Sequence, residues 1–92
     1  MVRFRLLLSP TAEKDYANLE AVLKQRILEK LKWFLESDVL PESLEGNFEG
    51  FYKLRVGDYR IVYDFEADVV MRVRLIGHRS RVYKDLARLL RS

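Results

Sequence analysis

The chain has 92 residues and a formal net charge of +3. That length makes one domain, spanning 1–92, with a core just large enough to need no metal or disulfide. Cysteine is absent and His78 is the single histidine, which excludes a disulfide framework and a thiolate metal site, so neither a metal nor any other cofactor is expected.

Residues 2–9, VRFRLLLS, alternate at first and read as a strand. The stretch is short, its arginines interrupt it, and it lacks a cleavage-site pattern, so it is not read as a signal peptide. No apolar run reaches the length of a membrane span, and the chain is expected to be soluble and cytoplasmic. Ser9-Pro10 then starts a helix, with Ser as cap and Pro at the first helical position. This short helix runs through Leu19, with Ala12, Tyr16 and Leu19 on one face. A longer helix follows from about Ala21 to Leu35, its Leu23, Ile27, Leu31 and Phe34 spaced as a single buried stripe. The two form a helical hairpin.

Residues 37–50, SDVLPESLEGNFEG, hold Pro41, Gly46 and Gly50 and read as loop. Strands are expected at about 51–56, 59–65 and 69–76. Gly57-Asp58 suits a two-residue type II′ turn, and FEADV makes the next turn. Ser80 then caps a last helix, with Val82, Leu86, Leu89 and Leu90 on its apolar side. The order strand, helix, helix, three strands, helix predicts an α+β fold. Its sheet has four strands, mainly antiparallel, with the helical hairpin on one face and the C-terminal helix beside it.

Side chains alternate across a strand. With Gly57-Asp58 as the loop, Val56 pairs with Tyr59, Leu54 with Ile61 and Tyr52 with Tyr63, and these six face the core. On the other face Arg55 pairs with Arg60, Lys53 with Val62 and Phe51 with Asp64. Phe4, Leu6, Leu8, Val69, Met71, Val73 and Leu75 are likewise expected to face in. Arg3, Arg5, Arg72 and Arg74 face out. One face is then core and the other shows up to seven cations, with Asp64 diagonal to Lys53 as its only acid. Like charges set opposite each other cost stability. A solvated face would mix in Glu, whereas a bound phosphate would offset the repulsion and suits the fork of Arg. Residues 1–50 carry 7 Lys/Arg and 9 Asp/Glu and residues 51–92 carry 10 and 5, a net of −2 against +5. A basic half points to a polyanion, nucleic acid first. The scarcity of Gln and Asn among many charged residues also fits a thermophilic source.

YKLRVGDYRIVY, followed by IGHRSRVY, resembles the RelE toxins of the RelE/ParE superfamily. The resemblance covers the whole chain. It is carried by the G-x-Y-R-hydrophobic-hydrophobic-Y stretch together with the G-[HK]-R…Y stretch. It implies a fold like that of the small microbial ribonucleases and a ribosome-dependent, metal-independent endoribonuclease that cuts mRNA in the ribosomal A site and so inhibits translation. It also implies a cognate RelB-like antitoxin, and contact with the ribosome and its 16S rRNA; no membrane is involved. Matched position by position, the implied active-site residues are Lys53, Arg55, Arg60, Arg79 and Tyr83. The family's second strand lysine is Arg55 here, which keeps the charge and gives up a deprotonatable amine. Arg3, Arg5, Arg72, Arg74 and Arg81 are expected to bind RNA phosphates.

The residue types suit the implied chemistry. A 2′-OH attacks the adjacent phosphate, a base takes its proton, an acid protonates the 5′ oxygen and cations stabilise the phosphorane. A phenol, ordinarily titrating near 10, is a poor base unless cations favour its phenolate. Tyr83 follows Arg79 and Arg81 at a helix start, where the dipole favours an anion. It is the expected base, aided by Lys53. Arg60 and Arg79 stabilise the transition state, and Arg55 positions the phosphate or assists the leaving oxygen. His78 has three readings: a catalytic residue partnered by Glu42 or Glu45, a platform stacked on RNA, or a plain surface residue. Trp33 is expected to pack or to meet the antitoxin. Two other functions compete, a ParE-type inhibitor of DNA gyrase and a non-catalytic or decayed toxin that only binds its antitoxin.

Overall fold

The computed structural model describes residues 4–67 and 69–91. Strand β1 (Arg5–Leu8) leads into helices α1 (Pro10–Ala17) and α2 (Ala21–Glu36). Strand β2 (Glu42–Ser43) and a 3-10 turn at Gly46–Phe48 follow. Strands β3 (Tyr52–Val56), β4 (Tyr59–Glu66) and β5 (Val70–His78) and helix α3 (Val82–Arg91) complete the chain. The fold is α+β as expected, with a correction to the strand count. The sheet has five strands, in the order β1-β5-β4-β3-β2. The extra strand, β2, is two residues long, too short to show a period in the sequence. β1 runs parallel to β5, and the other neighbours are antiparallel.

The helix signals act as chemistry requires. Ser9 Oγ accepts a hydrogen bond from the Ala12 N–H at 3.1 Å, with Pro10 opening the helix. α2 buries Ile27, Leu31 and Phe34, and Leu23 packs beside them. α3 departs from the expected capping. The Asp85 N–H donates to the Arg81 carbonyl at 3.0 Å, so Arg81 holds the cap position and the Ser80 hydroxyl is turned to His78.

The β3–β4 hairpin has the predicted register throughout, Arg55 opposite Arg60 and Lys53 opposite Val62 included. Gly57 takes a φ of +58° and Asp58 stays out of the left-handed region, as a type II′ turn demands. The expected Phe51–Asp64 pair does not form. Phe51 precedes the strand and accepts from the Leu44 N–H, and Asp64 pairs with Arg72.

Between β4 and β5 the register slips. Val62 faces Leu75 and Tyr63 faces Val73, which leaves Arg74 unopposed in a bulge. Groups from α1 take up the freed backbone there. Ser9 Oγ donates to the Arg74 carbonyl at 3.1 Å, and the Ile76 N–H donates to the Asp15 carboxylate at 3.0 Å. Burial raises the Asp15 carboxyl above its ordinary range, and that hydrogen bond opposes the rise.

The bulge gives one strand access to two cores. Met71, Val73 and Ile76 join Ile61, Tyr63, Leu54 and Val56 against α1 and α2. Leu75 turns the other way and joins Val62, Leu44, Val82 and Leu86 beneath α3. The expectation of one apolar and one cationic face is therefore corrected, because half of the second face is itself a core. Leu6 and Val69, expected inside, are 38% and 52% exposed. Full burial of a side chain such as Ile61 or Leu86 contributes roughly 1.5–3 kcal/mol, so the smaller core is enough to hold α3 in place.

Candidate active site

α3 covers Val62 and Leu75 but stops short of the hairpin's end. There the second face opens into a cleft of about 490 Å³ lined by Lys53, Arg55, Arg60, His78, Arg79, Ser80 and Tyr83. All five residues assigned to catalysis by resemblance thus lie together, with His78 among them.

The hairpin turn fixes the two central arginines. Arg60 Nη1 donates to the carbonyls of Gly57 and Tyr59, both at 2.9 Å. The Arg79 N–H donates to the Asp58 carbonyl at 2.7 Å, and its Nε lies 3.5 Å from Asp58 Oδ1. Asp58 reads in the sequence as a turn residue only, yet it ties β5's end to the hairpin. Arg60 is aimed by neutral carbonyls and meets no carboxylate among the described residues. Its charge is therefore available to an incoming anion.

The counter-ion of this cluster is Glu42, a correction to the expectation for Asp64. Glu42 faces Lys53 across β2–β3. Its carboxylate accepts from Arg55 Nη2 at 2.6 Å and lies 3.5 Å from Lys53 Nζ. Asp64 instead takes Arg72 in a two-pronged contact at 2.9 and 2.8 Å, and Arg74 at 3.0 Å. Arg74 also stacks over the Phe51 ring. Arg72 and Arg74 are thereby neutralised outside the cleft. Arg5 lies on the opposite edge strand, Arg81 lies in the turn before α3, and Arg3 is outside the described residues. The cleft holds four cations, fewer than the alternation of the strands implied.

The Arg55 hydrogen bond holds the Glu42 carboxyl below its ordinary range, and Lys53 adds to this. A depressed folded value contributes stability above the unfolded value, and that stability is lost as pH falls through the folded one. Both partners are exposed, so the effect is small. Glu42→Gln is expected to cost no more than about 1 kcal/mol at pH 7. The gap from the parent should close when melts are repeated in acid, below the folded value.

His78 meets the Tyr59 ring edge-on, centroids 5.6 Å apart. Its Nδ1 accepts from the Ser80 N–H at 3.1 Å and lies 2.8 Å from Ser80 Oγ. A backbone donor at Nδ1 assigns the proton of the neutral ring to Nε2. Tyr83 sits in the first turn of α3 with its ring stacked against Phe48 at 6.5 Å. Its hydroxyl is enclosed and has no hydrogen-bond partner among the described residues. Among the described residues, no three His, Cys, Asp or Glu side chains gather to hold a metal ion, and no helix is long and apolar enough to cross a membrane.

Comparison with known proteins extends this picture. Residues 6–83 match the family model for the ParE toxin of the type II toxin-antitoxin system parDE. No curated protein matches the sequence. Among solved structures, the isolated Escherichia coli RelE toxin is 27% identical with a TM-score of 0.70, covering 95% of this chain and 98% of that one. The YoeB dimer from Staphylococcus aureus is 27% identical with a TM-score of 0.62, covering 84% and 98%. The RelE–RelB complex from Methanococcus jannaschii is 23% identical with a TM-score of 0.67, covering 86% and 96%, and supports the fold. The chain belongs to the RelE/ParE superfamily of type II toxin-antitoxin toxins and is of the RelE type.

Proposed function

We propose that this toxin cleaves mRNA in the ribosomal A site and that a RelB-like antitoxin holds it inactive. One observation carries the reading: Lys53, Arg55, Arg60 and Arg79 converge on a single cleft that also holds Tyr83 and His78. Several relatives of this fold are complexes with RelB-type antitoxins, which supports the choice of partner. Action on translating ribosomes, beside 16S rRNA, makes the cytoplasm the place of work.

The reaction needs no metal in this reading. The 2′ oxygen attacks phosphorus as a base removes its proton. The P–O5′ bond breaks, and the 5′ oxygen takes up a proton, leaving a 2′,3′-cyclic phosphate. Arg60 and Arg79 stabilise the pentacovalent oxygens, and Arg55 orients the phosphate once Glu42 yields it. Tyr83 is the base, with Lys53 favouring its phenolate.

A specific observation favours a second assignment of the base. The Tyr83 hydroxyl is enclosed, while the Glu42 carboxylate is exposed beside Lys53 and Arg55. In that case Glu42 accepts the 2′ proton and His78 Nε2 supplies one to the 5′ oxygen. Tyr83→Phe and Glu42→Gln separate the two in a ribosome cleavage assay. The variant that removes the base should lose roughly 10²–10⁴-fold in rate, and the other should stay within tenfold of the parent. The ParE-type alternative predicts block of gyrase supercoiling with no mRNA cut.

A further inference from the structure

The cleft does not end at Arg55. On the far side of that residue a second groove of about 440 Å³ runs along α2, lined by Arg26, Lys30, Trp33 and Gly57 among others. Arg55 lines both cavities. Trp33 is 47% exposed, so packing does not account for it. Lys30 Nζ lies 4.5 Å from its ring centroid. Arg26 has no carboxylate within ion-pair distance among the described residues. Its guanidinium rests against Gly57, 3.2 Å from where a Cβ would stand. Glu29 is the one acid in the groove, against three cations.

An exposed aromatic flanked by cations, one of them, Arg26, without a carboxylate partner among the described residues, is the arrangement that binds single-stranded nucleic acid, with rings stacking bases and cations tracking phosphates. We infer that this groove is a second RNA subsite, in which the strand leaving the cleft passes over Arg55, sets a phosphate on Arg26 and stacks a base on Trp33. The inference rests on the nucleic-acid reading of the cleft and adds a path and a length requirement to it. Gly57 has a part here beyond its turn, because a side chain there would crowd the Arg26 guanidinium.

Trp33 is the only tryptophan of the chain and reports on the groove directly. The probes are 2′-O-methyl RNA strands of three and ten nucleotides, which resist 2′-OH attack. Binding is followed by anisotropy of a 5′ dye and by Trp33 fluorescence at low salt. The ten-mer should quench Trp33 and the three-mer should bind without quenching. Arg26→Ala should weaken the ten-mer several-fold and flatten its salt dependence by roughly 0.7 in log–log slope, the share of one phosphate contact. Trp33→Ala should weaken the ten-mer at least about fivefold by anisotropy and leave the three-mer unchanged. Ten-mer binding that depends on Arg60 yet leaves Trp33 unquenched overturns the subsite and spares the cleft. Failure of the ten-mer to bind overturns the subsite, while the nucleic-acid reading of the cleft stands or falls with mRNA cleavage on ribosomes. Quenching by a poly-glutamate peptide and not by RNA overturns the subsite in favour of a protein partner.

Discussion

Arg60→Ala is expected to lower mRNA cleavage by roughly 10²–10³-fold, the usual cost of removing one preorganised group that stabilises developing charge. The fold should survive the change. Arg60 is held by two backbone carbonyls at the hairpin turn, and its partner across the strands is another cation. Removing it gives up two partly exposed hydrogen bonds and relieves a like-charge pair, terms of roughly 0.2–1 kcal/mol that oppose each other. The melting temperature should move by no more than a few degrees. A loss of activity with an unchanged melt assigns Arg60 to chemistry. A loss of many degrees would make it a structural residue instead.

Leu86→Ala is expected to have the largest effect on stability. Leu86 is fully buried and packs with Val62, Leu75 and Val82 in the smaller core. Leu→Ala at such a site costs about 2–5 kcal/mol, or at least roughly 8 °C in a domain of this size. The consequence for function is indirect. α3 carries Tyr83, and this core is what seats α3 on the sheet. Hydrogen exchange in α3 should rise before exchange in β4. If α1 and α2 open together with α3, the two cores are one cooperative unit and the division drawn between them fails.

The hairpin was legible from residues 51–63 because two constraints agreed. A two-residue loop fixes the register, and six apolar side chains fall on one face only in that register. Ser9-Pro10 was equally plain, since a cap and a fixed φ act locally. The bulge was not legible. MRVRL, residues 71–75, alternates with no break, and the slip at Arg74 becomes visible only when β4 and the α1 groups Ser9 and Asp15 are alongside. That slip is what sends Leu75 to α3 and creates the second core; the count of exposed cations was too high because Asp64 takes Arg72 and Arg74. Glu42 was weighed only as a partner for His78. Its place opposite Lys53 depends on a two-residue strand that leaves no periodic trace. The candidate catalytic set came from matching motifs, and the geometry adds what motifs lack: how Asp58 and the turn carbonyls aim Arg60 and Arg79.

Glu42 also changes the meaning of the Arg55–Arg60 pair. The pair does not stand as bare repulsion awaiting a substrate. It is a cation cluster with an internal carboxylate on one member and an open charge on the other. In the proposed reaction a phosphate displaces Glu42 from Arg55, an exposed pair whose loss costs no more than about 1 kcal/mol.

The most direct test of this account is a cleavage assay with purified toxin on translating ribosomes, with chelator present and free mRNA as control. The account predicts cuts within the A-site codon that end in a 2′,3′-cyclic phosphate, weak cutting of free mRNA, and loss of the signal with Arg60→Ala and Arg79→Ala. Intact mRNA on ribosomes together with inhibited gyrase would contradict it.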